Sequence, residues 1–116
     1  MDLSTHTHPP WTVCRVTGEV DVFTAPALRA HLLAALGKPG RGVLLDLSAV
    51  TFMDASGLGV LVFVKRMLEA QEGTLRLLAP SAAVRRLLKA GGLAGQFPVS
   101  LDMAAAEQAE PVAGTA

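Results

Sequence analysis

Ser56 is the side chain of this sequence best placed to do chemistry. It stands in Asp54-Ala55-Ser56-Gly57-Leu58-Gly59, directly after Val50-Thr51-Phe52-Met53, where an apolar extended run gives way to a turn and then to a helix. The first backbone N–H groups of a helix lack intrahelical partners and the helix dipole is positive there, so a serine at that point is a favourable carrier for a phosphate. The commonest job of a serine before an apolar helix is N-capping, and the two jobs are compatible. Gly57 and Gly59 leave the helix start without side chains, which suits the close approach of another backbone; Gly57 is expected to matter for that access more than for stability, with tight packing of the helix on a sheet as the alternative.

Catalysis within this chain is not expected. A nucleophilic serine needs a positioned base and an oxyanion site, and the G-x-S-x-G elbow fails because Asp54 and Leu58 occupy its glycine positions. His6 and His8 fall in the first ten residues, and His31 has no acidic orienter near it in sequence. Asp54 is better read as a hydrogen-bonding residue of the loop or as part of a recognition surface. Glu19 and Asp21 end a strand, where turn and cap chemistry is the ordinary role. Asp54, Glu19 and Asp21 lack the paired spacing of a magnesium site. His6-x-His8 has no cysteine or third ligand beside it, so neither a metal nor a cofactor is expected.

The elements that must position Ser56 follow from periodicity. Residues 1–10, with two His and Pro9-Pro10, suit a flexible arm or a short edge strand. Trp11 to Val20 alternates as a strand with both faces partly apolar. Thr24 is a candidate cap for a helix that tolerates Pro26 in its first turn and carries Leu28, Leu32, Leu33 and Leu36 on one face, with Gly37 and Pro39-Gly40 as its stop. Val43-Leu44-Leu45 has no alternation, as a central parallel strand covered on both faces requires. From Ser56 to about Gln71 the pattern Val60, Phe63, Val64, Met67, Leu68 is helical, and Gly73 is the expected terminator. A short strand from Thr74 to Ala79, a start signal at Pro80-Ser81, and a helix with Val84, Leu87 and Leu88 follow. Phe97 to Val99 suits a last edge strand because Pro98 does not fit a central one. Asp102 is placed to cap a short helix over Met103 to Ala106, and residues 107–116 are expected to fray. Strand and helix alternate, which predicts an α/β fold with a mostly parallel sheet.

At 116 residues with a formal net charge of 0, the chain suits one domain and shows no bulk attraction to nucleic acid or an anionic membrane. Residues 65–89 hold six Lys/Arg against two acids, including Arg85, Arg86 and Lys89, but neither aromatics nor a reading motif accompany them, so a solvated face is expected. The longest stretches free of charge, 3–14 and 90–101, fall short of the roughly 17 to 25 residues that span a bilayer. With no secretory pattern at the N-terminus and the single Cys14, the expectation is a cytoplasmic protein without membrane insertion or disulfides.

The segment from Leu45-Asp46-Leu47 through Gly59 resembles the phosphorylation segment of STAS domains, specifically bacterial anti-sigma factor antagonists. Gly18-Glu19-Val20-Asp21 with Thr24-Ala25 and Leu28-Arg29 resembles an upstream block of that family, and Val84-Arg85-Arg86-Leu87-Leu88 with Gly92-Leu93 its late helix and bend. The resemblance spans about residues 11 to 105. It implies a STAS fold, a small mixed, mostly parallel β-sheet with helices packed mainly on one side. It also implies a phosphoacceptor at Ser56 and a partner-binding face of Glu19, Asp21, Thr24, Asp54, Ala55, Ser56, Gly57, Leu58 and Gly59. Ala55 stands where many members have a second small hydroxyl residue. The partner implied is a GHKL-type serine-kinase anti-sigma factor that supplies the ATP, opposed by a PP2C-type phosphatase. The unphosphorylated protein would bind the kinase and free a sigma factor. The alternatives within the fold are a STAS subunit of a lipid or ABC-type transporter system and a stressosome-type scaffold.

Overall fold

A computed structural model describes residues 1–36 and 42–111. In chain order the elements are β1 (Asp2–His8), β2 (Trp11–Val20), α1 (Ala25–Ala35), β3 (Gly42–Met53), α2 (Ala55–Ala70), β4 (Thr74–Leu78), α3 (Ala82–Ala90), β5 (Val99–Ser100) and α4 (Met103–Gln108). The five strands form one sheet in sequential order, β1 antiparallel to β2 and every later neighbour parallel. This is the α/β architecture with a mostly parallel sheet expected from the alternation of patterns, and its mixed character is the one that the family resemblance implied.

The apolar run of β3 explains its central place. Val43, Leu45 and Leu47 join the large core with residues of α1, α2 and α3, whereas Leu44 joins Trp11, Val13, Leu78 and Ala106 on the opposite face. Three helices therefore cover one face, and α4 closes the other. Trp11 fixes α4 from the sheet, its indole Nε1–H donating to the carbonyls of Ala106 and Ala109 at 3.2 Å each. Burial of Cys14 pushes its thiol up, so it behaves as a core residue rather than a reactive one.

Several boundaries differ from the sequence reading. Residues 2–8, open between an arm and a short strand, are a seven-residue edge strand. On α1 the fully covered positions are Ala25, Leu28, Leu32 and Ala35, while Leu33 and Leu36 are half-buried. The stop at Gly37 and Pro39-Gly40 lies outside the described residues. The left-handed residue after α2 is Glu72 (φ 59), not Gly73. Gly73 instead donates its N–H to Leu68 O at 2.7 Å. The last strand is Val99–Ser100 rather than Phe97–Val99, because Phe97 turns into the core and Pro98 offers only its carbonyl, which accepts from Leu77 N at 2.9 Å. Helix α4 continues through Gln108, beyond the point at which fraying was expected. Asp102 caps it by accepting from Ala105 N at 2.8 Å. Among the described residues no helix is long and apolar enough to cross a membrane.

Candidate partner-binding site

Parallel pairing brings the two informative turns together. Glu19 lies opposite Phe52 and Val20 opposite Met53, and Asp54 N donates to Val20 O at 3.1 Å, so β2 and β3 end side by side. The turn from Asp21 to Thr24 and the start of α2 thus share one end of the sheet, the carboxyl end at which open α/β sheets place their sites.

The cap of α2 is Asp54, not Ser56. Asp54 has extended backbone, and its Oδ1 accepts from Ser56 N at 2.8 Å. Ser56 is the second residue of the helix, half-buried, and among the described residues its hydroxyl has no hydrogen-bond partner. Both residues are good caps, and only the position of the first helical turn decides between them. The result is an uncommitted hydroxyl at a helix start whose capping is already satisfied.

The two glycines differ, and the expectation that Gly57 serves a partner's access more than stability is corrected. A Cβ on Gly57 would lie 2.6 Å from Met53 Cγ and 2.8 Å from Val20 Cγ1, so Gly57 serves the packing of α2 on the sheet and is not open to a visitor. Gly59 is exposed, and a Cβ there meets nothing within 4 Å. Leu58 packs partly on the core, and Ala55 is exposed.

In the neighbouring turn, Thr24 occupies the N-cap position of α1 without a side-chain cap. Its Oγ1 instead accepts from Asp21 N at 2.9 Å and donates toward Glu19 O at 3.2 Å. Asp21 Oδ1 accepts from Phe23 N at 2.9 Å and Thr24 N at 3.0 Å. Asp21 and Thr24 are therefore committed to holding the turn, whereas the Glu19 side chain is exposed and makes no such bond among the described residues. That turn pushes Val22 and Phe23 outward, 60% and 88% exposed, and Phe52 at the same end is 48% exposed. The sequence reading missed all three. Two apolar residues inside a turn, where polar ones are usual, were the available signal.

Ser56 opens onto a groove of about 410 Å³ between α1 and α2, with Val22, Ala25, Pro26, Arg29, Leu33 and Val60 among its walls. Of the histidines, His31 contacts Thr5, His8 lies 3.4 Å from Glu107 and His6 is exposed, all away from Ser56 on or against β1. Among the described residues no cluster of three or more His, Cys, Asp or Glu could hold a metal ion. Arg85, Arg86 and Lys89 are exposed on α3.

An uncommitted hydroxyl and three exposed apolar side chains thus share one end of a small, mixed, mostly parallel sheet carrying three helices on one face. The STAS domain model matches residues 2–106, and the chain belongs to that family. It is 36% identical over 85 residues to the anti-sigma-B factor antagonist of Bacillus subtilis, covering 73% of this chain and 77% of that protein. An anti-sigma factor antagonist from Mycobacterium paratuberculosis superposes with TM-score 0.81 at 30% identity, covering 92% of this chain and 91% of that one. The anti-sigma factor antagonist SpoIIAA is known in an unphosphorylated form (TM-score 0.76, 26% identity, 92% and 95% covered) and, from Bacillus, in a phosphorylated form (TM-score 0.71, 25% identity, 92% and 98% covered).

Proposed function

We propose that this chain is an anti-sigma factor antagonist that binds an anti-sigma factor when Ser56 is free and releases it when Ser56 is phosphorylated. The observation that carries the reading is the Ser56 hydroxyl, which has no hydrogen-bond partner among the described residues while Asp54 caps α2. The partner is a GHKL-type serine kinase that docks on Val22, Phe23 and Phe52 around the hydroxyl, with Gly59 giving its backbone room. Ser56 Oγ attacks the γ-phosphorus of the partner's ATP, the bond to ADP breaks, and the hydroxyl proton goes to a base on the kinase, which also holds the magnesium. A PP2C-type phosphatase hydrolyses the ester and restores the binding form.

The switch follows from charge and burial. A phosphoserine adds about −1.5 to −2 charges within the rim and beside the Asp54 carboxylate. Desolvating such a dianion at a packed contact costs several kcal/mol, and each 1.4 kcal/mol is about tenfold in affinity. Incubation with the cognate kinase and ATP, followed by intact-mass analysis and pull-down, tests the reading. One added phosphate, absent in Ser56→Ala and accompanied by loss of the kinase, is expected. Phosphorylation that persists in Ser56→Ala would refute it.

A further inference from the structure

Helix α1 contributes one charged side chain, Arg29, to the apolar groove onto which Ser56 opens. Its guanidinium lies 4.0 Å from the centroid of the Phe63 ring, and among the described residues it pairs with no carboxylate. Ser56, Val60 and Phe63 follow the i, i+4, i+7 spacing of one helical stripe. Arg29 and Ser56 line the same groove from facing helices, and the long arginine side chain can swing along it from the Phe63 ring toward the start of α2. Stacking uses the flat face of a guanidinium and leaves its in-plane N–H donors free, and that fork matches the oxygens of a phosphate.

From this arrangement we infer that Arg29, seated on Phe63, is the counter-ion of phosphorylated Ser56 and draws the phosphate into the groove between α1 and α2. The inference rests on Ser56 as the phosphoacceptor and adds a positioning residue on the neighbouring helix. It also supplies what Asp54 withholds, since the capping carboxylate repels the phosphate that Arg29 attracts.

The test uses the full chain with phosphoserine installed at position 56 during synthesis, so that no kinase is needed. Titration of its ³¹P resonance should give a second phosphate pKa about half to one unit lower in the Arg29 protein than in Arg29→Gln, the low end of the effect of a close opposite charge because the site is partly solvated. Arg29→Lys, which keeps the charge without the fork, should retain part of the shift. Superimposable titrations of the Arg29 and Arg29→Gln proteins would overturn the inference, as would a shift lost equally in Arg29→Lys and Arg29→Gln. If the titrations superimpose while the phosphate still abolishes kinase binding, the pairing falls and the proposed function stands. An Arg29-dependent shift in a chain that no kinase modifies would leave the pairing intact and remove the proposed switch.

Discussion

Replacing Gly57 and Gly59 by alanine, two positions apart in the first turns of α2, should change stability in opposite directions. Alanine is favoured over glycine in a helix by about 0.8–1 kcal/mol, and that gain is available at both sites. At Gly59 nothing opposes it, because the new methyl group meets no atom within 4 Å. At Gly57 the methyl group would sit 2.6 Å from Met53 Cγ, 2.8 Å from Val20 Cγ1 and 3.1 Å from Met53 Sδ, against the roughly 3.5–4.0 Å that carbon contacts prefer. Val20 is fully buried on β2 and β-branched, so it has little rotamer freedom with which to yield. Overpacking of this kind costs about 1–3 kcal/mol, which leaves Gly57→Ala about 1 kcal/mol less stable than the parent. Urea denaturation followed by fluorescence of the buried Trp11 reads both effects. With a slope near 1.5 kcal/mol per molar, the midpoint should fall by about 0.7 M for Gly57→Ala and rise by about 0.6 M for Gly59→Ala. Equal stabilisation of both variants would refute the packing role of Gly57.

Ser56→Asp should keep the circular dichroism of the parent, since a carboxylate is tolerated in a first helical turn, while calorimetric titration with the anti-sigma factor shows at least a tenfold loss of affinity. Phe23→Ser removes a side chain that is 88% exposed, so stability should stay within about 0.5 kcal/mol while affinity for the kinase falls about tenfold or more; unchanged affinity would place the interface elsewhere. Reversing Arg85 and Arg86 to glutamate on α3 should barely alter kinase binding at moderate salt, because exposed charges beyond about 8 Å are largely screened. A strong effect there, with Phe23→Ser silent, would move the contact to the basic helix.

Legibility in the sequence was set by how many residues carried each signal. The strands and helices were legible because many apolar side chains repeat at one period, and β3 declared its central place by having no alternation at all. The site was legible only as a region. Asp54 and Ser56 are equally good caps, and their order depends on a frame shift of the helix start that periodicity does not resolve. Gly57 and Gly59 are indistinguishable until the residues beneath them, Val20 and Met53, are in place. Val22 and Phe23 carry an apolar composition that suggests burial, yet the hydrogen bonds from their turn to Asp21 and Thr24 hold them out. Glu72 takes the left-handed turn after α2, which sequence alone could not assign while Gly73, the expected terminator, stood next to it.

If Ser56 is the phosphoacceptor, as proposed, its separation from the cap decides how the switch works. Had Ser56 capped α2, phosphorylation would have altered the cap itself, a contact worth about 1 kcal/mol, and so coupled the signal to the stability of the domain. With Asp54 accepting from Ser56 N at 2.8 Å, the cap uses the backbone of Ser56 and leaves its side chain free. Phosphorylation then changes the surface and little else, so the two forms should share one fold and differ in what they bind. Thermal melting of the unphosphorylated and phosphorylated proteins should accordingly differ by no more than a few degrees, equivalent to less than about 1 kcal/mol for a domain of this size, while their affinities for the kinase differ by orders of magnitude. A large drop in melting temperature on phosphorylation would show that the switch works by loosening α2 rather than by blocking the contact.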